Sequence, residues 1–166
     1  HAAISYTYDA VGNMLSASNG ESAVEFAYDA LNRPVETKQT FAGKAYPVSY
    51  TYDVAGNRTS MSTPWGKYSY TYDVLNRAAS ITNPQGMTAA FRYDAAGRRI
   101  EKTIFKSTPE IMAGTGYSYD AAGQLLNITN KAGGKVVAFN KYTYDALGNR
   151  VRIEDRNGIN DYTYDK

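Results

Sequence analysis

Ten aspartates stand in this chain, and eight of them recur in phase, each directly after a tyrosine: Asp9, Asp29, Asp53, Asp73, Asp94, Asp120, Asp145 and Asp165. Carboxylates repeated in this way could ligate a cation or pair as general acid and base. The spacing favours neither. It does not match the loop of an EF-hand, and no Gly-Gly-x-Gly-x-Asp calcium repeat occurs. No pair of carboxylates is marked out for proton transfer. The better use is local: an aspartate that opens a turn accepts hydrogen bonds from the backbone N–H groups just after it.

Other reactive groups are scarce. His1 is the sole histidine, cysteine is absent, and there is neither a Gly-x-Ser-x-Gly elbow nor a phosphate-binding loop. The chain is therefore read as a non-enzyme, with no catalytic residue, cofactor or metal site. Arg33, Arg58, Arg77, Arg98, Arg99 and Arg150 follow the turns. They are expected either to pair with the aspartate of an adjacent repeat or to form a stripe for anions.

The elements that hold these groups follow from the flanks. The repeat tyrosines are Tyr8, Tyr28, Tyr52, Tyr72, Tyr93, Tyr119, Tyr144 and Tyr164, spaced 20 to 26 residues apart. Two residues before each stands another aromatic: Tyr6, Phe26, Tyr50, Tyr70, Phe91, Tyr117, Tyr142 or Tyr162. Aromatic-x-aromatic is a period of two, and apolar residues resume that period after the turn, as at Leu126 and Ile128 or Val151 and Ile153. Period two with Tyr, Thr, Val and Ile specifies strand.

Between the strands, the third residue after Asp is Gly12, Asn32, Gly56, Asn76, Gly97, Gly123 or Gly148. Only glycine and asparagine occupy this place, and these adopt positive φ most cheaply. Each unit thus reads as strand, Asp-x-x-Gly/Asn turn, strand. A more variable turn joins successive units, at Asn19-Gly20, Pro64-Trp65-Gly66, Asn83-Pro84-Gln85-Gly86, Gly133-Gly134 and Asn157-Gly158. Extra residues fall near this second rim, around 41–46, 107–116 and 131–139. The one ambiguous stretch for helix is Pro109 to Ala113.

A lone hairpin is marginal in water, so neighbours must pair edge to edge. The expectation is an all-β array of about seven antiparallel hairpins in a curved, spiralling sheet. Residues 1–166 form a single array, with motifs at 6–13, 26–33, 50–57, 70–77, 91–98, 117–124, 142–149 and 162–165. The aromatic pairs should stack as a ladder on one face and pack against neighbouring repeats. The alternative use of that face is a platform for sugar rings. Trp65, alone in a turn, either touches a partner or folds over the adjacent hairpin.

The formal net charge of +2, with signs interspersed, argues against a nucleic-acid or polybasic membrane surface. No apolar run is long enough to span a bilayer as a helix. The chain starts just before one Tyr-x-Tyr-Asp and stops just after another, at Lys166. Unpaired strand edges are expected at both ends, open to further repeats or to other copies.

Tyr142-Thr143-Tyr144-Asp145-Ala146-Leu147-Gly148-Asn149-Arg150 and Tyr50-Thr51-Tyr52-Asp53-Val54-Ala55-Gly56-Asn57-Arg58 resemble the YD repeat of the Rhs family. The motif recurs in phase along nearly the whole chain. The resemblance implies a wall of hairpins that spirals into a hollow shell. In bacterial Rhs proteins and insecticidal toxin complexes such a shell encloses a toxic C-terminal polypeptide. In teneurins it belongs to a cell-adhesion receptor, and wall-associated proteins carry the repeats too. The chain lacks the Asp-Pro-x-Gly-rich segment that ends the Rhs core, and it carries no variable toxin domain.

The leading expectation is a structural segment of a large secreted or cell-surface protein, the expected partners being further repeats of its own chain and an enclosed toxin polypeptide. The alternatives are an adhesion module for glycans or proteins, with Trp65 as a contact, and a subunit that assembles through its strand edges.

Overall fold

A computed structural model describes residues 3–106 and 111–165. His1, Lys166 and Pro109 lie outside the described residues. The part of the ambiguous stretch that is described, Ile111 to Ala113, is strand.

Alternation of side chains, punctuated by turn residues, produces strands and no helix among the described residues. In chain order these are β1 (Ser5–Tyr8), β2 (Met14–Ser18), β3 (Ser22–Tyr28), β4 (Pro34–Phe41), β5 (Lys44–Tyr52), β6 (Arg58–Thr63), β7 (Gly66–Tyr72), β8 (Ala78–Thr82), β9 (Met87–Tyr93), β10 (Arg99–Lys106), β11 (Ile111–Tyr119), β12 (Leu125–Ala132), β13 (Lys135–Tyr144), β14 (Arg150–Asp155) and β15 (Gly158–Asp161). They form one open antiparallel sheet of 15 strands in sequential order. The chain divides into two compact units. One comprises His1–Ala78 with Thr82–Gln85, the other Ala79–Ile81 with Gly86–Lys166.

In the first unit, β1 to β7 pair successively, with Tyr50 opposite Met61 and Met61 opposite Tyr68. In the second, β9 to β15 do the same, with Tyr117 opposite Ile128 and Tyr142 opposite Ile153. Strand pleating sends the paired aromatics to one face and the intervening residues to the other. Burial follows it: β5 ends exposed–intermediate–exposed–intermediate over Ser49, Tyr50, Thr51 and Tyr52.

The register slips by one residue just before the Asp9, Asp29, Asp53, Asp94, Asp120 and Asp145 turns, as between Thr51 and Tyr52 or Thr143 and Tyr144. Tyr52 opposes Arg58 while Thr51 opposes Ser60, so Thr59 is the extra residue of a bulge. A bulge re-aims side chains. Here it brings Arg58, Arg99 and Arg150 level with the repeat tyrosines Tyr52, Tyr93 and Tyr144.

Coverage of the aromatics is partial. Among the described residues no apolar side chain is buried, and the only buried polar one is Ser60, at 4% exposed. The repeat aromatics are half-covered rather than enclosed. The opposite face is held by short polar links instead. Thr7 bonds Ser16 at 2.6 Å, Thr51 bonds Ser60 at 2.7 Å, and Glu25–Lys38 and Lys141–Glu154 form cross-strand ion pairs at 2.7 and 2.8 Å.

Candidate functional site

The Asp turn is the most regular feature of the molecule. At Asp145, Oδ1 accepts from the backbone N–H of Leu147 (2.9 Å) and of Asn149 (2.8 Å), and Oδ2 accepts from Asn149 Nδ2 (3.0 Å). The Asp145 N–H donates to the Asn149 carbonyl, and the Gly148 N–H donates to the Asp145 carbonyl. The last bond closes a type I turn, and the residue that donates it is left-handed, at φ 85° for Gly148 and 58° for Asn32 and Asn76. The same pattern recurs at Asp29, whose Oδ1 accepts from Leu31 and Arg33.

These bonds favour the ionised carboxylate. At Asp29 the Arg33 guanidinium, then the Arg33 backbone N–H, hold the carboxyl below its ordinary value against partial desolvation. At Asp53 and Asp145 the Asn57 and Asn149 side-chain amides take the leading part. At Asp73 the Arg77 backbone N–H does. A carboxyl whose folded pKa is depressed contributes stability above its unfolded pKa and loses it as pH falls through the folded one. The melting temperature should therefore be level down to about pH 5 and fall steeply below about pH 4, the ordinary range of aspartate. Thermal melts across a pH series test this. A melting temperature indifferent to acid below that range would refute it.

Three arginines pair with the carboxylate of their own turn rather than that of an adjacent repeat, and two of these, Arg33 and Arg98, also lie over the rings of Tyr52 and Tyr119 at 4.6 and 4.8 Å. Arg33, Arg77 and Arg98 pair with Asp29, Asp73 and Asp94 of their own turns, each at 2.7 Å. The turn folds the fourth residue after Asp back beside it, so the carboxylate of the same turn is the nearer one. Arg33 Nη1 then reaches the Asp53 carbonyl (3.4 Å), and Arg98 Nη1 the Asp120 carbonyl (3.1 Å), in the next turn. Arg58, Arg99 and Arg150 lie on the aromatic face. Arg58 stands over Tyr50 and Tyr70 at 5.6 and 4.9 Å, and Arg99 over Phe91 and Tyr117 at 5.9 and 5.1 Å. Cations thus interleave the ladder, in which Phe26 and Tyr28 also stack with centroids 6.4 Å apart, and the negative faces of the rings favour the arrangement.

The repeat tyrosine has a function that the sequence reading missed. Its hydroxyl donates to the backbone carbonyl of the residue five places after the preceding Asp. Tyr28 reaches Met14 (2.9 Å), Tyr52 reaches Pro34 (2.8 Å), Tyr72 reaches Arg58 (2.9 Å), Tyr119 reaches Arg99 (2.9 Å), Tyr144 reaches Leu125 (2.8 Å) and Tyr164 reaches Arg150 (2.8 Å). Each bond clasps one repeat to the one before it. The signal was present in the sequence: the first aromatic of a pair is sometimes Phe, as at Phe26 and Phe91, whereas the second is Tyr in all eight repeats. Tyr144→Phe keeps the ring and deletes the donor. It should cost about 0.5–1.5 kcal/mol, read by urea denaturation. An unchanged midpoint would remove the clasp from the account.

Trp65 leans on Tyr46, with ring centroids 6.1 Å apart and planes at 23°, yet remains 72% exposed. With Phe26, Phe41, Tyr46 and Val48 it lines a groove of about 520 Å³ in the first unit.

A family model described as Teneurin YD-shell matches residues 1–106. The chain belongs to the teneurin YD-shell family. A second model, described as RHS Repeat, matches residues 119–160. This YD-shell chain is also similar to three solved structures, described as crystal structures of TcdB2-TccC3-Cdc42, TcdB2-TccC3-TEV and TcdB2-TccC3. Each has a TM-score of 0.75 and 20% sequence identity. They are matched over 96%, 92% and 92% of this chain, which spans 9% of each of theirs. At that identity the likeness establishes the fold. No curated protein matches the chain. In this YD-shell chain the repeat Tyr binds backward to the previous repeat, while Asp shapes its own turn.

Proposed function

We propose that this chain is wall material: a YD-shell segment of a secreted or cell-surface protein, whose shell encloses a polypeptide continuous with it. The observation that carries the reading is the repeated clasp. Within each unit, successive repeats are bonded to their predecessors through tyrosine hydroxyls, so that load on one hairpin passes to the next. Repeats that interact only with neighbours gain stability from those interfaces. The mechanism is confinement by a hydrogen-bonded barrier, and the tyrosines, aspartates and Gly/Asn turn residues serve architecture rather than chemistry. Further repeats of the same polypeptide and the enclosed segment are the partners.

The test is protease protection. The chain is grafted into a closed YD shell in place of a stretch with the same number of strands, around a tethered unfolded polypeptide. Protection of that polypeptide is the expected result. A chimera that assembles to full mass yet leaves it as cleavable as it is when free would overturn the reading.

One observation favours a second reading, a protein-binding module: Phe41 and Trp65 are 63% and 72% exposed on the same groove. Trp65 is the sole tryptophan, so its fluorescence reports that groove directly. A permanently unfolded polypeptide, such as a reduced and alkylated protein, should shift the emission if the groove binds extended chain. No shift at high concentration would discard this reading.

A further inference from the structure

The turn rim carries a pattern that links each repeat to the one after it. Two positions make it: the fourth residue after one Asp and the third residue after the next. Asn13 is followed by Asn32, Arg33 by Gly56, Asn57 by Asn76, Arg77 by Gly97, Arg98 by Gly123 and Gln124 by Gly148. Asparagine precedes asparagine, and a longer side chain precedes glycine, without exception.

The geometry supplies the reason. Asn13 Nδ2 donates one hydrogen to its own Asp9 Oδ2 (2.8 Å) and the other to Asn32 Oδ1 (2.9 Å). Asn57 Nδ2 does the same with Asp53 Oδ2 (3.0 Å) and Asn76 Oδ1 (2.8 Å). Where an arginine stands in place of this asparagine, Nε serves the carboxylate of its own turn, and Nη1 passes over the next turn to a backbone carbonyl. Arg33 does so from Asp29 to Asp53, and Arg98 from Asp94 to Asp120. That path crosses the glycine. A Cβ there would lie 3.9 Å from Arg33 Nη1 at Gly56, 3.6 Å from Arg98 Nη1 at Gly123 and 3.0 Å from Gln124 Nε2 at Gly148. An asparagine side chain extending from that Cβ would occupy the arginine's route. Conversely, an asparagine facing glycine finds no side-chain acceptor there, and its short amide does not make the arginine's longer reach.

We propose that these two positions form a matching code between adjacent repeats. An Asn-type turn selects a following turn with Asn at its third position, and an Arg- or Gln-type turn selects one with Gly. The code specifies which hairpin can lie beside which, and so helps to fix the order and register of repeats that are otherwise nearly identical. It stands independently of what the shell encloses.

A double-mutant cycle in the full chain tests it, using Asn57→Arg, Asn76→Gly and the pair together. Asn57→Arg preserves the bond to Asp53, as Arg33 and Asp29 demonstrate, so only the forward bond changes. On the wild-type background it should lower the melting temperature by on the order of 2–4 °C, the effect of one lost hydrogen bond in a chain of this length. On the Asn76→Gly background the same substitution should raise it. That reversal of sign is the signature of matching; mere loss of packing would shift both backgrounds alike. The reciprocal cycle, Arg98→Asn with Gly123→Asn, repeats the reading in the second unit and decides the matter should a corner of the first fail to fold by circular dichroism. Equal shifts on both backgrounds, in whichever cycle folds, would overturn the proposal.

Discussion

Gly66→Val should be among the most damaging single substitutions in this chain. Gly66 has φ +127°, and a Cβ added there would stand 2.5 Å from Pro84 Cβ and 2.9 Å from Pro84 Cγ. Real Cβ atoms do not approach so closely, and a proline ring has no flexible end to give way. Two costs coincide. Backbone strain at a conformation open to glycine contributes about 1–3 kcal/mol, and the forced displacement of a rigid neighbour about 1–3 kcal/mol more. The joint result is a fall in melting temperature on the order of 10 °C for a chain of this length. Thermal denaturation followed by circular dichroism measures it. Adding Pro84→Gly should return the steric part and leave the strain, which separates the two causes. A Gly66→Val chain as stable as the parent would mean that the 63–66 turn is not built as described.

Gly148→Val comes second. Gly148 lies at φ +85° in the Asp145 turn, and its Cβ would meet Gln124 Nε2 at 3.0 Å. A β-branched side chain is badly suited to the left-handed region, and the expected cost is about 1–3 kcal/mol. Gly12→Val is the natural control. Gly12 has φ +93° in the equivalent turn, with nothing within 4 Å of an added Cβ. It should show the backbone penalty alone. Gly148→Val should exceed it by the disturbance to the Gln124 amide, a flexible group that can partly withdraw. If neither substitution changes the urea midpoint, the left-handed assignment of the third turn residue is wrong.

Both predictions rest on turns, but they were legible to different degrees. The Gly148 turn is visible in the sequence, because residues compatible with positive φ recur at one place after each Asp, and that requirement is local to four or five residues. The Gly66 site is not. Pro64-Trp65-Gly66 announces a turn, yet nothing near it in sequence indicates that Pro84, 18 residues on, covers the glycine. The same limit explains the arginines. Arg33 and Arg58 both follow an Asp turn and differ by one place in the repeat. One returns to its own carboxylate while lying over Tyr52, and the other is turned by a bulge to lie between Tyr50 and Tyr70. Composition at those positions does not separate the two fates. The strand register does.

Strands, Asp turns, the repeat and the family are all readable from residue order, because each depends on interactions within one hairpin: side chains alternating along a strand, and a carboxylate capping N–H groups two and four residues away. What the repeated groups do to one another depends on how the hairpins pair. The tyrosine hydroxyls that clasp neighbouring repeats, the half-covered rather than buried ladder, and the matching of Asn with Asn or of Arg with Gly are all contacts between residues some 14 to 22 positions apart. Pairing of whole strands brings such residues together, and no local preference encodes which atoms then meet.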